Sequence, residues 1–114
     1  MKSIAETRLS PSEKEAVLEF REQVVRMLPT VEVFLYGSKA RGDATEFSDI
    51  DLLVLVAGPI DRDIERRIYS VKFDIELRHD VIIGMLLESR TFWDSPRVVH
   101  TPLHENISRE EIPV

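Results

Sequence analysis

Between Val17 and Leu28 the apolar residues Val17, Phe20, Val24, Met27 and Leu28 recur at helical spacing, opposite a charged face of Glu15, Glu19, Glu22 and Arg26. That periodicity describes a helix with one stripe turned to a core. Its start is signalled by Ser10-Pro11-Ser12-Glu13. The serine can cap the helix, proline suits the first helical position, and Glu13 can reach back to close a capping box. With Pro29 as the stop, the pattern predicts a helix over 11–28.

The period then changes. Val31-Glu32-Val33-Phe34-Leu35-Tyr36 is β-branched and aromatic, which predicts a strand ending in a tight turn at Gly37. Residues 38–41 read as one short helical turn, and the apolar run of Ile50 and Leu52 to Val56 as a second strand. Gly58-Pro59 breaks the chain before a helix over 61–77, whose inner face carries Ile64, Ile68, Val71 and Ile75. An apolar strand over 81–87, a helical turn over 89–93 and a short helix over 97–107 follow, before Ile112-Pro113-Val114. The order helix, strand, strand, helix, strand predicts an α/β fold: one domain over 1–114, with a small mixed sheet of at least three strands flanked by helices.

The C-terminal third holds Phe92, Trp93, Val98, Val99, Leu103 and Ile107. We expect it to cover the core; the other reading makes Trp93 an aromatic anchor in a homodimer or hetero-complex. His100 and His104 are four apart, a zinc-ligand spacing on a continuous helix, but Pro102 lies between them and no companion ligand is near.

One feature of the second strand does not belong to a core. Asp49 and Asp51 are two residues apart and therefore project from one face, while Ile50 between them points the other way. Two ionised carboxylates so placed repel unless a cation sits between them or one takes a proton. Upstream, Gly37-Ser38 opens the helical turn, whose unpaired N–H groups and Ser38 hydroxyl suit an anion; Lys39 and Arg41 add positive charge. Hard oxygen ligands beside a phosphate cradle favour Mg²⁺. Read separately, Ser48-Asp49 is an ordinary polar turn. Read together, the halves describe a seat for a metal-bound nucleoside triphosphate.

Composition narrows the partners. A net charge of −6 and an isoelectric point near 5.1 disfavour broad binding to nucleic acid or an anionic membrane. No apolar run nears the roughly 20 residues that cross a bilayer, and residues 1–10 lack the apolar core of a signal peptide. The absence of cysteine accords with a reducing compartment, so a cytoplasmic location is expected.

Gly37-Ser38, Ala40-Arg41-Gly42 and Ser48-Asp49-Ile50-Asp51-Leu52-Leu53-Val54 resemble the signature of the DNA polymerase β nucleotidyltransferase superfamily, within one stretch of eighteen residues. The chain most resembles its minimal nucleotidyltransferase branch. That resemblance implies a palm-like core in which Asp49 and Asp51 hold Mg²⁺ and Gly37, Ser38, Lys39 and Arg41 bind the nucleotide. It also implies a third catalytic and metal-binding carboxylate on a neighbouring strand. Asp80, in Arg78-His79-Asp80-Val81-Ile82-Ile83, stands about where it falls, although the family has an apolar residue where His79 stands. The alternative for Asp80 is a residue at a helix end with no catalytic duty; Glu76 and Glu88 are weaker candidates.

The implied reaction moves a nucleoside monophosphate, AMP from ATP, to a hydroxyl of a partner protein, with pyrophosphate leaving. In that family the enzyme can serve as the antitoxin of a HEPN toxin, modifying a tyrosine. Two other readings stand beside it: a non-catalytic nucleotide-binding or toxin-neutralising module, and transfer to a small molecule such as an antibiotic. Enzymes of the last kind generally carry a further substrate domain.

Overall fold

A computed structural model describes residues 3–45 and 48–114; the Glu46-Phe47 part of the motif lies outside them. Helix α1 (Pro11–Met27) begins as its sequence requires: Ser10 Oγ accepts the Glu13 N–H, and Glu13 in turn accepts the Ser10 N–H. It ends one residue before the expected Leu28, which is its C-cap. Strand β1 (Glu32–Tyr36), the short helix α2 (Ser38–Arg41), β2 (Ile50–Val56) and α3 (Arg62–His79) follow.

Next come β3 (Ile83–Ser89), α4 (Arg90–Trp93), α5 (Pro96–Val99), α6 (Pro102–Glu110) and β4 (Ile112–Pro113). The third strand thus starts two residues later than its apolar run. Asp80 closes α3 in the left-handed conformation and Val81 N–H bonds back to the Glu76 carbonyl, which spends the start of that run on the turn. The expected helix over 97–107 is two helices. Pro102 has no N–H to continue α5, and the Thr101 hydroxyl caps a fresh start by accepting the His104 N–H.

The four-stranded sheet has the order β3-β2-β1-β4, with β2 and β3 parallel and both β1 pairings antiparallel. Both faces are covered, which is why β2 is apolar at nearly every position. On one face Ile50, Leu52, Val54 and Val56 join Val17, Phe20 and Val24 of α1 and Ile68 and Ile75 of α3. On the other, Leu53 and Leu55 pack against Trp93 and Ile107. Trp93 is 5% exposed and lies against the His104 ring at 4.5 Å between centroids, so this tryptophan belongs to the core and that histidine packs on it.

By strand alternation Asp51 shares the second face with Leu53 and Leu55. The C-terminal helices cover the leucines, while Asp51 at the strand's start is only half buried and Asp49 before it is exposed. The fold therefore closes over the apolar part of β2 and leaves its acidic end open. Among the described residues no helix is long and apolar enough to cross a membrane.

Candidate active site

Antiparallel pairing sets Tyr36 opposite Asp51, so the turn that leaves β1 begins beside the carboxylates. Gly37 makes that turn with φ 76° and ψ −159°, a region open essentially to glycine alone. A Cβ there would overlap Asp51 Oδ2 as well. Two separate demands therefore fall on one residue. The α2 turn that follows has no side-chain cap at its N-terminus, and Gly42 closes it with φ 87°.

The other side of Asp51 is also glycine. Parallel register places Gly84 of β3 opposite it, and a Cβ at Gly84 would lie 2.8 Å from Asp51 Oδ1. No left-handed backbone is needed at Gly84. The space it leaves is filled by the carboxylate. Burial, and after it the Asp49 charge, push the Asp51 carboxyl above its ordinary range, with Arg41 opposing and Glu110 adding to the shift. The Tyr36 hydroxyl, raised by burial and then by Asp51 and Glu110, belongs to the same field.

These residues suit a magnesium ion that arrives with a nucleotide. Mg²⁺ takes one or two protein carboxylates and completes its shell with phosphate oxygens and water. Asp51 offers such oxygens, kept unobstructed by the two glycines, and Asp49 lies near enough for its charge to raise the Asp51 carboxyl.

The two cations expected at the phosphates are placed differently. Lys39 is 9% exposed, and its Nζ lies 2.6 Å from the Glu13 carboxylate of the α1 capping box. Its charge ties α2 to α1. Burial alone would raise the Glu13 carboxyl, but hydrogen bonds from Lys39 and the Ser10 backbone, with the Lys39 charge, bring it below the usual value. Arg41 is half exposed at its side chain, and contacts Asp43 at 3.1 Å and Glu110 at 2.8 Å.

Glu110 was not among the sequence candidates. It is 69 positions from Arg41 and enters because β4 pairs with Phe34 and Leu35, which carries the end of α6 to the Gly37 turn. The only local signal was the short Ile112-Pro113-Val114 run.

Asp80 is exposed at the C-cap of α3 with φ 52°. It shares with Asp49, Ser48, Lys39, His79 and Ile82 a cleft of about 630 Å³ that opens beside the α1 N-terminus. Among the described residues no three His, Asp or Glu side chains converge closely enough to hold a metal. Glu76 is engaged elsewhere, accepting the Ile83 N–H at 2.8 Å and pairing with Lys72. Glu88 lies in register with Leu55, four residues along from Asp51, or about 13 Å at strand rise.

The family model of the nucleotidyltransferase domain matches residues 17–105. Two inferred protein adenylyltransferases of Methanocaldococcus jannaschii are similar to the chain. MJ0141 is 30% identical over 79 residues, covering 68% of this chain and 80% of its own length. MJ0604 is 32% identical over 78 residues, covering 68% and 71%. Among solved structures, an inferred minimal nucleotidyltransferase aligns with 88% of this chain and 94% of its own at 29% identity, with a TM-score of 0.54. A toxin–antitoxin structure with AMP-PNP shares the fold at 18% identity and a TM-score of 0.55, over 82% of this chain and 68% of its own. The chain belongs to the nucleotidyltransferase domain family, as an enzyme of the minimal type.

Proposed function

We propose that this enzyme transfers AMP from ATP to a hydroxyl of a partner protein, in the manner of a toxin-modifying antitoxin. The observation that carries the proposal is the Asp51 carboxylate, seated between two glycines, one of which opens the α2 turn. Asp49 and Asp51 hold the Mg²⁺, Gly37 lets the triphosphate approach the backbone, and Ser38 offers it a hydroxyl and an N–H. Lys39 acts from behind, bracing the turn through Glu13, and Arg41 offers a guanidinium at the site's edge. When bound, the ion withdraws electron density from the phosphates and stabilises the charge on the leaving oxygen.

The acceptor oxygen forms a bond to the α-phosphorus as the bridging bond to the β-phosphate breaks. The pair in that bond leaves with pyrophosphate, and the acceptor proton passes to solvent or to a carboxylate of the site. Adenylyl and a protein acceptor are supported by the two adenylyltransferase relatives, and a toxin partner of HEPN type by the family resemblance. The net charge of −6 disfavours a nucleic-acid acceptor.

The test is incubation with α-³²P-labelled ATP, Mg²⁺ and the protein encoded beside this one. Label on that protein, lost in Asp51→Asn, is the expected result. Nucleotide binding without label, together with neutralisation retained in Asp51→Asn, would favour a contact module instead.

A further inference from the structure

We infer that this site holds one divalent ion, the one that enters with the triphosphate, because β3 supplies no acid beside Asp51; the inference rests on the nucleotide-binding reading above. Two-ion phosphoryl chemistry clamps the attacking and leaving oxygens between ions about 3.5–4 Å apart, so its carboxylates must converge on both ions. β2 has two neighbours: β1 sets Tyr36 opposite Asp51, and β3 sets Gly84 there, so neither adjoining strand places an acid level with it.

Asp51 faces Gly84, and the ladder continues back through Ile50 N–H, which donates to the Ile82 carbonyl at 2.9 Å. Gly84 is the β3 position facing Asp51, and the same alternation continued one step before β3 begins brings Ile82 to the level of Asp49. Gly84 has no side chain, and a Cβ there would press on Asp51. Ile82 is apolar and 65% exposed, at the rim of the cleft that also contains Asp49. Asp80 lies two residues further back, outside the ladder, in the left-handed turn that ends α3. Among the described residues no third acid or histidine joins the pair as a metal group.

Position 82 is therefore where an acid would complete the site, and an exposed isoleucine stands there instead. Its side chain contributes little to the core, so it can be exchanged without opening a cavity.

The test counts ions rather than turnover. The full chain is saturated with α,β-methylene ATP, which cannot be cleaved between its α- and β-phosphates, and Mn²⁺ bound per chain is read by electron paramagnetic resonance. We expect about one Mn²⁺ in the native chain, about one in Asp80→Asn, and about two in Ile82→Asp, with spin–spin broadening from the paired ions. Circular dichroism and thermal melting check that both variants are folded. Two coupled ions in the native chain, falling to one in Asp80→Asn, would overturn the inference and make Asp80 the third ligand. A folded Ile82→Asp that still binds one ion would overturn the register argument. Failure of the native chain to retain either the analogue or Mn²⁺ would remove the nucleotide-binding reading itself, a result distinct from a wrong ion count.

Discussion

The two glycines beside Asp51 stand on opposite edges of β2 and are required for different reasons. Gly37 satisfies a backbone demand and a space demand together: its φ is 76°, and any Cβ would collide with the carboxylate. Gly84 satisfies only the second, and the atom it would meet is the tip of a side chain, 2.8 Å away. The β1 edge of the site is thus fixed by local chain geometry. The β3 edge is fixed by strand register alone, which sets Gly84 opposite Asp51.

The largest effect is expected where both edges converge. Asp51→Asn keeps the shape and removes the charge, and should lower transfer by about 10²–10³-fold or more, as losses of a principal transition-state contact do. Single-turnover rates check this, and near-native turnover would sink the mechanism. Gly37→Val tests the backbone demand. It should cost about 1–3 kcal/mol of stability from the left-handed backbone, with most nucleotide affinity lost as well. Denaturant unfolding beside nucleotide titration separates the two losses; a variant with native stability and affinity would contradict the assignment.

Much of the β1 edge was legible from the chain. The capping box at Ser10 and Glu13, the turn at Gly37 and the carboxylates of β2 each depend on residues within a few positions of one another. What was not legible depends on contacts between distant segments. Lys39 has the look of a phosphate ligand, yet its partner is Glu13, 26 positions away on another helix. Glu110 reaches Arg41 only because two residues of β4 pair with β1. At β3 the apolar run from Val81 suggested an earlier start, but the Asp80 turn displaced the strand and with it the register that decides what faces Asp51. Periodicity reports which face a residue takes, and leaves open which residue of another strand lies level with it.

A third, smaller effect tests the brace behind the turn. Glu13→Gln leaves the buried Lys39 ammonium without its charge partner and should cost about 1–3 kcal/mol. The same pair gives a pH dependence. Because the folded Glu13 carboxyl titrates below its ordinary value, its contribution is complete above the usual carboxylate range and is lost as pH falls through the lower, folded value. Thermal melts of native and Glu13→Gln protein should therefore converge on acidification, and a constant gap down to strongly acidic pH would contradict the pairing.

The smallest effect on stability, and the sharpest contrast with Gly37, belongs to Gly84→Ala. The added methyl displaces only the Asp51 carboxylate, so melting should shift by less than about 1 kcal/mol while affinity for the metal–nucleotide falls clearly. Calorimetric titration beside a melt reads both. Equal damage to fold and binding would mean that the β3 edge is as rigid as the β1 edge.

The most direct measurement is a parallel assay with α-³²P-ATP and γ-³²P-ATP on the native chain and its partner. Transfer of the α label without the γ label, with both absent in the Asp49→Asn/Asp51→Asn double variant, is the result expected of nucleotidyl transfer at these carboxylates. Transfer of the γ label, or α labelling that survives in the double variant, would contradict it.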